Sequence, residues 1–318
     1  TPKCWISIVA PASPIEEARL RKGCEELVRL GYQPDLPPQI LNRKGYFAGS
    51  LEERVAAIFV ARTGGGIHPI FCARGGYGSN YLVEYLQETE DAIPGYAEAD
   101  SAPPPPILIG HSDITTLQIF YWQTMNWVTF YGPMVAAGFD AGEGNSSGYD
   151  LDSFHRAMTE TRAGWPLDMR GETLLEGEAE GTLLGGCLSL VQTSLGTPWE
   201  LDTAGSILLL EDRGMKPYQV DRALMHLQQA GKFEGVRGII LGEFPECDPP
   251  EGSDITVRQV LERIIGGLEI PTVGGAPIGH TPRPMLTVPL GVRARLLATG
   301  TGRLDILEPA CIDSPPVP

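Results

Sequence analysis

Short apolar runs alternate with stretches of helical spacing along most of this chain, and that alternation constrains its fold more than any other feature. Trp5-Ile6-Ser7-Ile8-Val9-Ala10 stops at Pro11 and gives way to Ile15–Leu30, where Ala18, Leu20, Cys24, Leu27 and Leu30 recur at helical intervals. Ser50 before Leu51-Glu52-Glu53 has the form of a capping box, and Leu51, Val55, Ile58 and Phe59 supply a core face behind it. Pro69–Ala73, Ile107–Gly110 and Val128–Gly132 repeat the apolar run. Strands so short and so apolar, each leading to a helix, predict an α/β fold: a doubly wound parallel sheet covered on both faces, with its ligand site outside the strands' carboxyl ends.

From Asp140 to about Gly181 the pattern weakens. Gly142–Gly148 reads as a flexible loop, Leu151–Thr161 as a helix, and irregular polar sequence follows. A chain of 318 residues exceeds the size at which one core stops growing, so the boundary is placed here, with domains at 1–165 and 166–318. In the second part Ser206–Asp212, Val236–Gly242 and Pro271–Gly275 read as strands, and Pro217–Gln229 and Ile255–Ile265 as helices. The tail, Leu286–Leu290 and Arg293–Leu307 around Gly300 and Gly302, reads as antiparallel hairpins. Pro103–Pro106 reads as a stiff surface connector.

Composition excludes several functions. The 24 Lys and Arg residues face 40 Asp and Glu, a net charge of −16 with no basic cluster, and such a field repels nucleic acid. Six scattered cysteines form no C-x-x-C pair and no Cys/His spacing suited to zinc, so no metal or other cofactor is expected, and reduced thiols fit a cytoplasmic setting. No apolar run is long enough to span a bilayer, and no basic start followed by an apolar stretch opens the chain.

Chemistry concentrates at three strand ends. Ile107-Leu108-Ile109-Gly110-His111-Ser112-Asp113-Ile114 has the form of a nucleophile elbow, a strand-to-helix turn that lifts a serine hydroxyl clear of the sheet. The second glycine of G-x-S-x-G is replaced by Ile114, and the competing reading of Ser112 is a helix N-cap. Arg74-Gly75-Gly76-Tyr77-Gly78 follows another strand and presents bare amides fit for a phosphate, a carboxylate or an oxyanion; alternatively its glycines only relieve positive φ. Of five histidines, His155 and His226 lie within helices, His68 precedes a strand, and His111 is expected to point away from its neighbour Ser112. His280, in a loop after a strand end, is the candidate base. Glu211 closes the run Ile207-Leu208-Leu209-Leu210, where a carboxylate needs a partner or a cleft, with Asp212 the neighbouring alternative orienting acid.

Ala10-Pro11-Ala12-Ser13, Arg74–Gly78, Gly110–Thr115, Gly185-Gly186-Cys187-Leu188, Leu210-Glu211-Asp212, Asp221-Arg222, and Gly279-His280 leading to Val288-Pro289-Leu290-Gly291 together resemble the serine LD-carboxypeptidases. The resemblance implies Ser112 as nucleophile, Glu211 as orienting acid and His280 as base. It also implies an oxyanion hole from the backbone amides of Asp113 and of Gly75 or Gly76. Arg74 and Tyr77 are the candidate substrate contacts. A flavodoxin-like N-terminal domain, a smaller β-rich C-terminal domain, a cleft between them and a homodimer complete the picture. The implied reaction releases terminal D-alanine from a muropeptide tetrapeptide. Asparagine is expected where Cys187 stands, and the Pro282-Arg283-Pro284 loop departs from the usual form. The resemblance extends to the microcin C immunity peptidases, which cleave aminoacyl-sulfamoyl or phosphoramidate adenylates; Trp165 and Trp199, placed in loops, are then candidates to stack on a base. A reading of another class, a non-catalytic peptide-binding protein, leaves the recurrence of Ser, Glu and His at three strand ends unexplained.

Overall fold

The computed structural model describes residues 4–63, 68–91 and 105–311. Strands β1 (Cys4–Val9), β2 (Tyr32–Asp35), β3 (Ile70–Cys72), β4 (Leu108–Gly110) and β5 (Thr129–Tyr131) run parallel in the order β2-β1-β3-β4-β5. That is the flavodoxin-like order, and its switch point lies between the ends of β1 and β3. Residues Pro11–Ser13 and Arg74–Gly76 therefore face each other there.

Beyond it come β6 (Trp165–Asp168), β7 (Glu172–Leu175), β8 (Gly177–Cys187), β9 (Ser206–Glu211), β10 (Gly238–Gly242) and β11 (Thr272–Ala276), and the tail adds β12 (Val288–Leu290), β13 (Arg293–Ala298) and β14 (Arg303–Ile306). All but β12 build a second sheet in the order β6-β14-β13-β8-β9-β10-β11-β7. Its centre, β8 to β11, is parallel and its flanks antiparallel. One buried cluster draws on both sheets, joining Ile8, Phe71, Ile109 and Tyr131 to Leu183, Ile207, Leu209 and Leu296. A shared core of this kind fixes the ends of β4, β5 and β9 relative to one another.

Leu286–Leu290 does not hairpin with the tail: β12 returns to the first sheet and pairs antiparallel with β5, Val288 opposite Tyr131. Val288 and Leu290 are buried, and Pro289 sits on an edge strand, where a missing N–H leaves no gap in the ladder. The polar stretch before Gly181 contains β6 and β7, the two edges of the second sheet; β6 reads buried, exposed, buried, exposed, which dilutes its apolar signal. Of the proline run, Pro103 and Pro104 lie outside the described residues, while Pro106 is buried and its carbonyl accepts from the Trp127 indole at 2.9 Å. The Ser50 box forms as expected: Ser50 Oγ accepts from the Glu53 amide at 3.2 Å, and Glu53 Oε2 from the Ser50 amide at 2.7 Å. The Arg293–Leu307 hairpin is β13 against β14.

Candidate active site

Ser112 stands at φ 62°, in the left-handed region that non-glycine residues avoid. His111 occupies the cap position in extended geometry, and the Ser112–Ile114 turn leads into the helix Thr115–Met125, so Ser112 is the strained residue of an elbow rather than a capping side chain. Ile114, standing where a second glycine is usual, is fully buried; a Cβ on Gly110 would lie 3.0 Å from its side chain. Here the small residue is needed before the serine, and the residue two beyond it is a core anchor.

Glu211 ends β9 with no exposed surface, and His280 follows β11 in the loop opened by Pro277. Glu211 Oε2 accepts from the His280 amide and faces His280 Nδ1, each at 2.9 Å. Gly279 makes this approach possible: at φ 74°, with a would-be Cβ 2.4 Å from the Glu211 carboxyl carbon, it leaves no room for a side chain. Burial pushes the Glu211 carboxyl up, but the His280 charge and the hydrogen bonds from His280 and Tyr131 outweigh it and hold the group below its ordinary range. Burial likewise opposes protonation of His280, and the Glu211 charge prevails, raising it above an ordinary histidine.

Tyr131 joins this pair to the elbow. Its hydroxyl donates to Glu211 Oε1 at 2.5 Å and accepts from the Ser112 amide at 3.3 Å. Thr115 Oγ1 lies 3.5 Å from the same hydroxyl and accepts from the Cys187 amide at 3.1 Å. His111 donates its Nδ1–H to the Gly132 carbonyl at 2.9 Å and packs its ring edge-on against His280, with centroids 5.3 Å apart. Burial, reinforced by the neighbouring His280, lowers the His111 pKa to about 4 and keeps it neutral.

The glycine turn closes on Ser112 from the other side. A Cβ on Gly75 would meet Ser112 Cβ at 2.8 Å and Oγ at 3.1 Å; one on Gly76, at φ 109°, would meet Ser13 Oγ at 2.4 Å. Ser13 Oγ accepts from the Tyr77 amide at 3.1 Å, and Asp113 Oδ2 from the Ser79 amide at 2.8 Å, so the C-terminal end of the turn is pinned to the β1 loop and to the elbow. Buried Arg54 donates from Nη1 to the carbonyls of Pro11 at 2.7 Å and Gly78 at 2.9 Å, tying the β1 end to the same turn. Arg74 directs Nη1 to the Pro14 carbonyl at 3.2 Å. Tyr77 is 43% exposed beside Tyr46, Phe47 and Tyr81. With Asp113, Thr116, Leu190 and Trp199 it also lines a cavity of about 210 Å³.

Residues 6–132 match the N-terminal domain of the LD-carboxypeptidases, and residues 180–296 match the C-terminal domain. The chain belongs to the LD-carboxypeptidase family. A Bacillus subtilis relative named as a probable murein peptide carboxypeptidase is 33% identical over 293 residues, covering 92% of this chain and 88% of its own. The crystal structure of a muramoyltetrapeptide carboxypeptidase from Oxalobacter formigenes superposes with a TM-score of 0.81 at 29% identity, over 96% of this chain and 99% of that one. The microcin C7 self-immunity protein, solved with aspartyl sulfamoyl adenosine, shares the fold at a TM-score of 0.83 and 24% identity, over 98% of each chain.

Sequence alone misses Tyr131, Arg54 and Ser13 as groups that hold the site. Tyr131 carries the signal that marks Glu211, a polar group closing an apolar strand; Arg54 and Ser13 carry none, since their partners are carbonyl and amide groups of distant loops. Trp165, expected in a loop, is buried in β6, whereas Trp199 is half-buried in a loop and lines the cavity beside Asp113. All six thiols are free. Among the described residues no helix is long and apolar enough to cross a membrane.

Proposed function

We propose that Ser112, Glu211 and His280 are the catalytic triad of a serine peptidase that hydrolyses the L,D amide bond of a muropeptide tetrapeptide and releases its terminal D-alanine. The observation that carries this reading is the fully buried Glu211 carboxylate, 2.9 Å from His280 Nδ1 and linked through one tyrosine hydroxyl to the Ser112 amide. Glu211 holds the tautomer with its proton on Nδ1, leaving Nε2 as base. His280 Nε2 takes the Ser112 proton as Oγ bonds to the carbonyl carbon; the oxyanion rests on the amides of Asp113 and of Gly75 or Gly76. Collapse breaks the C–N bond, His280 passes its proton to the leaving amine, and an acyl-serine remains. Water then attacks the ester with His280 again as base, and Ser112 is regenerated. Arg74 and Tyr77 contact the substrate. Residues 1–165 supply the nucleophile and 166–318 the acid and base, in a cytoplasmic homodimer serving peptidoglycan recycling, with no cofactor.

Trp199, beside Asp113, favours a second reading in which the leaving group carries a nucleobase, as in an aminoacyl-sulfamoyl adenosine. Assaying the purified protein side by side on a muropeptide tetrapeptide and on an aminoacyl-sulfamoyl adenosine separates the two. D-alanine release at least about tenfold more efficient in kcat/KM supports the first reading, and the reverse preference overturns it.

A further inference from the structure

Cys187 stands at the end of β8, paired in register with Glu211 on β9, and its side chain is buried. One ligand atom from each of Cys187, Glu211 and His280 lies within 4.8 Å of the other two. The thiol has the Ser189 hydroxyl at 3.4 Å, and the buried Asp212 carboxylate accepts from the Ser189 amide at 2.8 Å, so two buried carboxylates stand around one sulfur. The same surroundings suit a cation. Tetrahedral zinc holds sulfur at about 2.3 Å and nitrogen or oxygen at about 2.0–2.2 Å, so its ligands lie roughly 3.3–3.8 Å apart, a spacing reached by small side-chain shifts from this arrangement. Sulfur and imidazole select zinc or cadmium over magnesium and calcium.

We propose that Cys187, Glu211 and His280 form a binding site for a soft divalent cation, and that filling it switches the peptidase off. The cation takes the Nδ1 lone pair, so the imidazole proton moves to Nε2. The thiol releases its proton to solvent as the metal–sulfur bond forms, and nothing is oxidised or reduced. With its proton on Nε2, His280 no longer accepts one from Ser112. Because the ion would take Nδ1, the ring nitrogen opposite the one that serves Ser112, substrate binding should be unchanged: kcat falls while KM holds. This inhibitory consequence rests on the triad reading; the site itself does not.

The test titrates the full chain with Cd²⁺ while following the thiolate-to-cadmium charge-transfer absorbance in the ultraviolet, and measures affinity by calorimetry. The expected result is one tight equivalent with the band, unaffected by excess Mg²⁺. Cys187→Ser or Cys187→Ala should lose that band and weaken binding by at least about tenfold, and His280→Gln should weaken it while keeping the band. These variants separate the site from Cys4, Cys24 and Cys311, which are less buried. On a muropeptide tetrapeptide, Zn²⁺ should lower kcat of the wild type at constant KM, reversibly with chelator, and Cys187→Ser should keep basal turnover and lose the sensitivity. Wild-type affinity and band in the Cys187 variants, or tight Zn²⁺ binding that leaves kcat intact, overturns the proposal. A band that depends on Cys187, in a protein that turns over no substrate even without metal, upholds the site and removes the triad instead.

Discussion

Replacing Tyr131 by Phe deletes one oxygen atom and leaves the ring in its place, between two parts of the site that come from different sheets. The lost hydroxyl donates to the buried Glu211 carboxylate at 2.5 Å and accepts from the Ser112 amide at 3.3 Å. A hydrogen bond to a charged, buried acceptor is worth about 1.5–3 kcal/mol, and the Ser112 amide contact, being long, adds little. If the loss falls on the transition state, where the Glu211 charge supports an imidazolium, kcat/KM drops by about 10- to 150-fold at roughly 1.4 kcal/mol per decade. Direction distinguishes positioning from mere packing. The hydroxyl disperses part of the Glu211 charge, so its removal strengthens the pull of that carboxylate on a His280 proton, and the acid limb of the kcat/KM profile moves to higher pH. The assay is D-alanine release from a muropeptide tetrapeptide across pH, with folding checked by circular dichroism. A folded Tyr131→Phe variant within about twofold of wild type and with an unmoved acid limb would falsify the account of how Glu211 is held.

The wild-type profile has its own sign. Glu211 raises His280 above its ordinary value near 6.5, so the stabilisation from the pair is fully present below that value and fades as pH rises through the raised one; activity, which needs neutral His280, climbs over the same window. Glu211→Gln removes the charge and lets burial prevail, so the acid limb moves to lower pH while kcat falls by about 10³–10⁴-fold; a limb that stays put or moves up refutes the assignment. Gly279→Ala forces a Cβ into the Glu211 carboxyl, 2.4 Å away at φ 74°, and displaces His280, which is expected to lower kcat by about 100-fold with KM little changed; steady-state kinetics showing a KM effect alone would count against it.

Most of the first sheet is legible in the sequence because its inner strands are buried on both faces and read as continuous apolar runs. What escapes is at the edges. β2 contains Pro34, β6 and β7 alternate or are polar, and β12 contains Pro289; each forms because a partner strand lies beside it, not because of its own propensity. At the site, Ser112, Glu211 and His280 are legible as polar residues at strand ends. Glu211 and His280 meet across 69 residues of chain, a contact that no spacing announces. Tyr131 escapes because a tyrosine in a strand reads first as core. The contact of His111 with His280 escapes because the imidazole is held by the Gly132 carbonyl, which strand β5 brings to it. Cys187 is visible as a departure in the Gly-Gly-x-Leu motif, but its nearness to the acid and the base appears only once β8 and β9 are paired in register.

The central claim is that Ser112 is the nucleophile of a hydrolase acting on an L,D amide, and the most direct measurement compares wild type with Ser112→Ala for D-alanine release from a muropeptide tetrapeptide. Alanine keeps the Cβ that packs on Gly75 and removes only the hydroxyl, so the variant should fold like wild type while kcat drops by about 10⁴-fold or more. A folded Ser112→Ala variant that still releases D-alanine near the wild-type rate would contradict it.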